Sequence, residues 1–395
     1  INIIISDVVN NINAVEKYIK GDKVVWAVVL LLAIFSVLAV YSSIVTLAYK
    51  YKDGDTLYYL IKHSFILFIG FWLMLLAHQL NYKYYSRISQ IALFISIPLL
   101  LLTLWTGANI NDASRWLVIP VIDQTFQTSD LAKLALIMYL ARLLYKKQEN
   151  IKDFKSAFVP IMLPVLIVCG LILPANFSTA LMLFTTSLII MFIGRVSLKY
   201  IFYLIAIAVG SLMLMLLIAK ANPDLLPRLG TWNNRIESFI EGDSDSNYQA
   251  DQAKIAIATG GYIGKGPGKS TQRNFLPHPY SDFIYAIIIE EYGLVGGFFV
   301  IFLYLILFYR SIRIAQKSEK SFGTFLVIGL SFSLVFQAMI NMAVAVNLFP
   351  VTGQPLPLVS MGGTSIWFTC LAIGIILSVS RNTESEKSTN LNVAV

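Results

Sequence analysis

Long apolar runs separated by short polar breaks fill most of the chain, at about 24–47, 57–78, 89–106, 129–145, 157–175, 177–194, 198–219, 282–309, 321–347 and 363–380. Each is near the roughly 20 residues that an α-helix needs to cross a hydrocarbon core. The pattern predicts an all-α polytopic membrane protein with about ten transmembrane helices. The fourth and sixth runs are short, and the fourth is amphipathic. On this reading residues 24–381 form one membrane domain. Before it, Val8, Ile12, Val15 and Ile19 recur at helical spacing, which predicts a short amphipathic helix lying in the interface within segment 1–23. After it, segment 382–395 is rich in Thr, Ser, Asn and Glu, and is expected to be a disordered tail.

Two stretches break the rhythm. Residues 220–281, between the seventh and eighth helices, form a large polar loop rich in Gly, Pro and Asn. Loops of that length are functional or disordered. This one is divided by charge: Glu237, Glu241, Asp243, Asp245 and Asp251 lie in its first half, whereas Lys254 to Ser281 carries Lys254, Lys265, Lys269 and Arg273 and no acid. The second stretch, between the ninth and tenth helices, gathers Asn341, Asn347, Pro350, Pro355, Pro357, Ser360, Gly362, Gly363, Thr364 and Ser365. Irregular backbone between spans cannot face lipid unpaired, so this segment is expected to be re-entrant or to line a cavity.

Composition agrees with the pattern. Hydrophobic residues make up 57% of the chain and charged ones 13%, too few to cover a water-facing surface. The net charge of +8 would suit nucleic acid in a soluble protein. Here the cations fall in alternate loops: Lys17, Lys20 and Lys23; Lys83 and Arg87; Arg142 to Lys155; Arg195 and Lys199; Arg310 to Lys320; Arg381 and Lys387. The positive-inside bias then places both termini in the cytoplasm and the large loop outside, and no nucleic-acid partner is expected. Lys50, Lys52 and Lys62 are an exception on the outer side, offset in part by Asp53 and Asp55. Cys169 and Cys370 sit in apolar runs and imply neither disulfide nor metal. His63, His78 and His278 lack metal-ligand spacing, so no metal and no cofactor is assigned, with a divalent cation left open.

The basic half of the loop reads Gly260-Gly261-Tyr262-Ile263-Gly264-Lys265-Gly266-Pro267-Gly268-Lys269-Ser270, then Arg273. Glycines let backbone N–H groups approach an anion and lysines supply charge, so the stretch suits a phosphate. It is no nucleotide P-loop, because Ile263 stands where the second glycine is needed. A flexible solvated loop is the equal alternative. Ser281 then reads as a helix N-cap, with Asp282 in the first turn, where it would be a base beside a phosphate or a complement to the helix dipole. Glu290 and Glu291 follow about two turns on. At that depth they pair with cations or line a polar pocket. Asp130 and Lys133, three apart after Gln127, form an ion pair or part of that pocket. Arg115 and Trp116 fall at an interfacial belt position.

Several of these motifs together resemble the SEDS family: Asn247-Tyr248-Gln249 through Ser270, Pro277 to Phe283, Glu290 to Gly293, Arg115-Trp116, Gln127 to Lys133, and Leu356 to Ser365. The resemblance runs from the third helix to the end. It implies ten helices and a peptidoglycan glycosyltransferase that polymerises lipid II at the outer face of the bacterial plasma membrane. The division-type member is the nearer likeness and the elongation-type the runner-up. Asp282 falls on the family's catalytic aspartate. Lys265, Lys269, Arg273 and Arg115 are then expected at the pyrophosphate, with Gln127, Asp130, Lys133, Glu290, Glu291, Ser360, Gly362, Gly363 and Ser365 as a supporting polar pocket. The implied partners are lipid II, a class B penicillin-binding protein, other divisome membrane proteins and membrane lipids, with location at the division septum. Three departures stand out: Thr128-Ser129-Asp130 replaces Pro-Ser-Glu, Met361 replaces Tyr, and Asn176 stands where the family usually has an acid. A lipid flippase or transporter, with polar residues at the midplane, and a non-catalytic division scaffold are the rival classes.

Overall fold

The computed structural model describes residues 20–106, 108–110, 113–119, 124–221, 239, 248–318 and 321–393. The expected amphipathic helix over Val8 to Ile19 and the acids Glu237, Glu241, Asp243 and Asp245 lie outside the described residues. Helices occupy all the places that the apolar runs mark: α1 Lys23–Ser43, a short α2 Val45–Tyr51, α3 Thr56–Gln79, α4 Tyr85–Thr106, α5 Thr128–Lys146, α6 Val159–Ile172, α7 Phe177–Ile193, α8 Leu198–Ala221, α9 Tyr248–Gly260, α10 Ile284–Lys317, α11 Ser321–Ala345 and α12 Thr364–Val393. Among the described residues, seven are long and apolar enough to cross a membrane: α1, α3, α4, α6 with the turn before it, α10, α11 and α12. Helix α7 and residues 198–214 of α8 are shorter apolar helices.

The interior is built from α5, α10, α11 and α12, and large apolar side chains such as Phe68, Phe94 and Phe202 point outward from α3, α4 and α8. Outward-facing apolar side chains are what a lipid solvent requires. Small residues let the helices close up. On α3, a β-carbon at Gly70 would lie 2.9 Å from the Cys370 sulfur, and on α12 one at Gly374 would lie 2.5 Å from the Met74 carbonyl. At one end of the bundle, Asp22 caps α1 by accepting from Val24 and Val25 N–H and pairs with Arg310 at 2.5 Å. The Asp22 N–H also donates to Ser380, which ties α1, α10 and α12 together.

Three findings revise the expectations. Between α4 and α5 the chain forms a three-stranded antiparallel meander, β1 Ala108–Ile110, β2 Ala113–Ile119 and β3 Gln124–Gln127, with Leu117 opposite Phe126. Its β-branched run Val118-Ile119 bounded by Pro120 carries the strand pattern. The segment 382–393, expected as a disordered tail, continues α12, since neither Pro nor Gly interrupts it. Helix α10 begins at Ile284 with Phe283 as its N-cap, so Ser281 is no cap and Asp282 sits in the turn before the helix rather than in its first turn.

Candidate active site

The glycine-rich loop is a splint on a broken helix. At Gly293 the backbone of α10 takes φ 69° and ψ −174°, which interrupts the helical hydrogen-bond ladder. The loop supplies the missing partners. Lys265 and Gly266 N–H donate to the carbonyls of Glu290 and Glu291, both at 2.9 Å, while Leu294 N–H donates to Gly261 at 2.9 Å. Backbone lies directly on backbone here. A β-carbon at Gly264 would collide with the Glu291 carbonyl, and one at Gly293 with the Tyr262 carbonyl.

The same splint takes up most of the loop's charge. Glu290, fully buried, accepts from Lys265 Nζ at 2.6 Å, from Thr271 N–H at 3.0 Å and Oγ1 at 2.8 Å, and from the Ser270 hydroxyl. Glu291 accepts from Ser270 N–H at 3.2 Å and from the Ser42 hydroxyl of α1. Arg273 donates to the Ser42 carbonyl at 3.1 Å and hydroxyl at 3.2 Å. Of the cations expected at a pyrophosphate, Lys265 and Arg273 therefore hold protein groups, and Lys269 is exposed. The side chain of Arg115 lies outside the described residues.

Asp282 is held differently. It is half-buried, accepts from the Ser281 hydroxyl at 2.8 Å, and its Oδ2 lies beside Gly353, where a β-carbon would be 3.6 Å away. The backbone around it is gripped from the segment before α12. Ser360 Oγ donates to the Ser281 carbonyl at 2.6 Å and accepts from Leu356 N–H, and Met361 N–H donates to the Tyr280 carbonyl at 2.9 Å. From α11, Asn341 Nδ2 donates both to the Asp282 carbonyl at 2.9 Å and to the Gln354 carbonyl at 2.7 Å. Beside the carboxylate, burial and then the Asp282 charge raise the Tyr280 hydroxyl above its ordinary pKa, so it stays a neutral O–H.

A polar thread runs from this turn toward α5. Gln337 of α11 donates to the Pro355 carbonyl at 2.9 Å and accepts from Lys133 at 2.8 Å, and Lys133 pairs with Asp130 at 3.3 Å. Gln354 donates to Thr179 at 2.9 Å, and Asn176 caps α7 by accepting from Thr179 N–H. Gln127 donates to the Ser129 hydroxyl at 3.0 Å. Its N–H donates to Thr364 at the start of α12. A cleft lined by Asp130, Lys133, Ser365, Phe368 and Thr369 opens beside the ion pair. Four helix starts, those of α5, α7, α10 and α12, thus converge on one site.

The structure brings Asp282, Ser360, Gln127, Asp130, Lys133 and Ser365 into this connected region, with Gly362 and Gly363 at the end of its loop. It places Glu290, Glu291, Lys265 and Arg273 in the splint. The amides Gln337, Asn341 and Gln354 and the phenol Tyr280 were not singled out as site residues. An amide inside an apolar helix was the available clue, because such a group is costly there without partners.

Comparison with known proteins bears on this arrangement. The FtsW/RodA/SpoVE family, described as cell cycle proteins, matches residues 22–385. A probable peptidoglycan glycosyltransferase FtsW of Geobacter sp. strain M18 is 34% identical over 375 residues, covering 93% of this chain and 97% of that protein. Stage V sporulation protein E of Bacillus subtilis strain 168 is 30% identical over 370 residues, covering 92% of this chain and 98% of that protein. Among solved structures, a chain from a peptidoglycan synthase complex that coordinates polymerization and crosslinking superposes with a TM-score of 0.70 at 27% identity, covering 92% of this chain and 98% of that one. The rod shape determining protein RodA of Thermus thermophilus shares the fold, with a TM-score of 0.65 at 24% identity over 92% of this chain and 97% of that one.

Proposed function

We propose a mechanism from one premise: this chain belongs to the FtsW/RodA/SpoVE family of cell cycle proteins, and it is a multi-pass membrane peptidoglycan glycosyltransferase. The observation that carries the mechanism is a half-buried carboxylate, Asp282, whose backbone is gripped by Asn341 and Ser360 while its Oδ2 faces the loop glycine Gly353. We read the ten apolar helices as spans, with both termini cytoplasmic and Asp282 at the outer surface.

In the reaction, a hydroxyl of the acceptor sugar on lipid II loses its proton to Asp282 as its oxygen attacks the anomeric carbon of the donor. The bond from that carbon to the diphosphate oxygen breaks, and the polyprenyl diphosphate leaves with the electron pair. One carboxylate in hydrogen-bond reach suffices as general base. Because diphosphate is a good leaving group, the second carboxylic acid of glycoside hydrolysis is not required. Positive potential is what the departing anion needs, and the four converging helix starts supply part of it. A transporter would gather its polar groups at the midplane of the helices; these gather at helix starts.

Purified Asp282→Asn protein, reconstituted with its partner, should bind lipid II and stay folded while polymerisation falls about 100-fold or more. Retained polymerisation overturns the base assignment. The partner we expect is a class B penicillin-binding protein, as the similarity to a chain of a synthase complex supports, together with other divisome proteins. The FtsW-named relatives favour the division septum. A tagged copy on the side wall would favour the elongation role instead.

A further inference from the structure

Lys50, Lys52 and Lys62 run against the charge bias that orients the rest of the chain, and the function described so far makes no use of them. Lys50 and Lys52 are exposed at and just beyond the end of α2. Each ammonium rests over an aromatic face: Lys50 at 5.4 Å from the centre of the Tyr51 ring, Lys52 at 4.9 Å from that of Tyr58. The acids that offset them in sequence do not pair with them. Asp55 instead caps α3 by accepting from Tyr58 N–H at 3.0 Å, and Asp53 stands in the turn at φ 49°. Among the described residues no acid pairs with either cation, and both sit at the membrane surface on an aromatic shelf, Tyr58 meeting Tyr59 edge-on at 5.2 Å.

This shelf adjoins the site. Helix α2 packs on the turn Gln272–Asn274, which leads into the Asp282 loop. After burial and the Asp282 charge, the phenols of Tyr51 and Tyr59, once ionised, also raise the Tyr280 hydroxyl, so these shelf rings lie within electrostatic range of it. Meanwhile Lys265 and Arg273 are held by Glu290 and by Ser42. A diphosphate bound near Asp282 needs cations beyond these two.

Building on the glycosyltransferase reading above, we propose that Lys50 and Lys52 hold the diphosphate of the lipid donor at the outer interface. Cation–π contact at an exposed site is weaker than a charge-assisted hydrogen bond to phosphate oxygen, so an arriving diphosphate draws both ammoniums off their rings. Lysine suits this, being a compact charge on a flexible stem that can reach the bound group. Phosphate at this surface also comes from anionic phospholipid; the donor is favoured because the shelf adjoins the base.

The test uses the full chain with its partner in phosphatidylcholine vesicles free of anionic lipid. The Lys50→Ala/Lys52→Ala double variant should raise KM for a polyprenyl diphosphate–disaccharide substrate about tenfold, the loss of one or two charge-assisted contacts, with kcat within about twofold. The Lys50→Gln/Lys52→Gln pair, which keeps the stems, should behave alike, and the Arg pair should restore KM. Asp282→Asn is measured alongside for binding and turnover: an active Asp282→Asn sinks the base reading while leaving the KM comparison readable. Unchanged KM in both neutral pairs overturns the proposal. So does a KM effect that appears only when anionic phospholipid is added.

Discussion

Two polar segments of this protein look alike as sequence and are opposite as structure. The stretch from Gly260 to Arg273 and the stretch from Pro350 to Ser365 are both rich in glycine or proline, and both lie just before a helix or within one helix length of it. In the first, Lys265 and the Ser270–Thr271 pair close around the buried charge of Glu290. In the second, uncharged amides and hydroxyls hold backbone carbonyls, and the carboxylate they position stays half-open. The difference teaches where to look for chemistry in a membrane protein. Charges that neutralise each other deep in a helix serve the fold, because an unpaired charge there is expensive. On the reading proposed above, chemistry sits where neutral groups carry the structural burden and position an acid.

The contrast can be broken by substitutions on its two sides. The largest effect is expected from Gly293→Ala, where a side chain meets the Tyr262 carbonyl at a left-handed backbone position; it should cost roughly 3 kcal/mol or more and lower the yield of folded protein. Next, Glu290→Gln leaves the half-buried Lys265 without its counter-charge and should cost roughly 3 kcal/mol at most. Its thermal midpoint should fall while the folded fraction keeps its kcat. A Glu290→Gln protein with an unchanged midpoint and lost turnover would show that the splint is catalytic after all. The smallest effect belongs to Asn341→Ala, which frees two carbonyls: about 2 kcal/mol of stability and, since the base then wanders, about a tenfold loss in kcat. An Asn341→Ala enzyme with full kcat would mean that Asp282 needs no such support.

Much of this was legible in the chain. Apolar length located the helices, and the requirement that irregular backbone be paired within a bilayer drew attention to the segment before α12. Position after a basic loop made Asp282 the candidate base, which remains a proposal. The rest depended on contacts between distant residues. That Gly264 faces Gly293 is invisible locally, since each glycine explains itself only through the other's backbone. The basic loop read as a phosphate cradle because lysine spacing shows charge and not its partner; Glu290 lies 25 residues from Lys265. The meander between α4 and α5 was hidden by its shortness, with a strand of only four residues at Gln124–Gln127.

The two segments also differ in when they can close. Every partner of Glu290 within the loop precedes it by 18 to 25 residues and has been synthesised before it. The splint can therefore assemble as soon as α10 enters the membrane. The turn at Asp282 waits for Asn341, 59 residues on, and for Ser360, which reaches back 79 residues to Ser281. Long-range closures of that kind come late in assembly. A nascent chain lacking its last two helices can thus hold a finished splint and an unfinished turn at Asp282, so that on the proposed reading glycan synthesis cannot begin on a partly inserted protein.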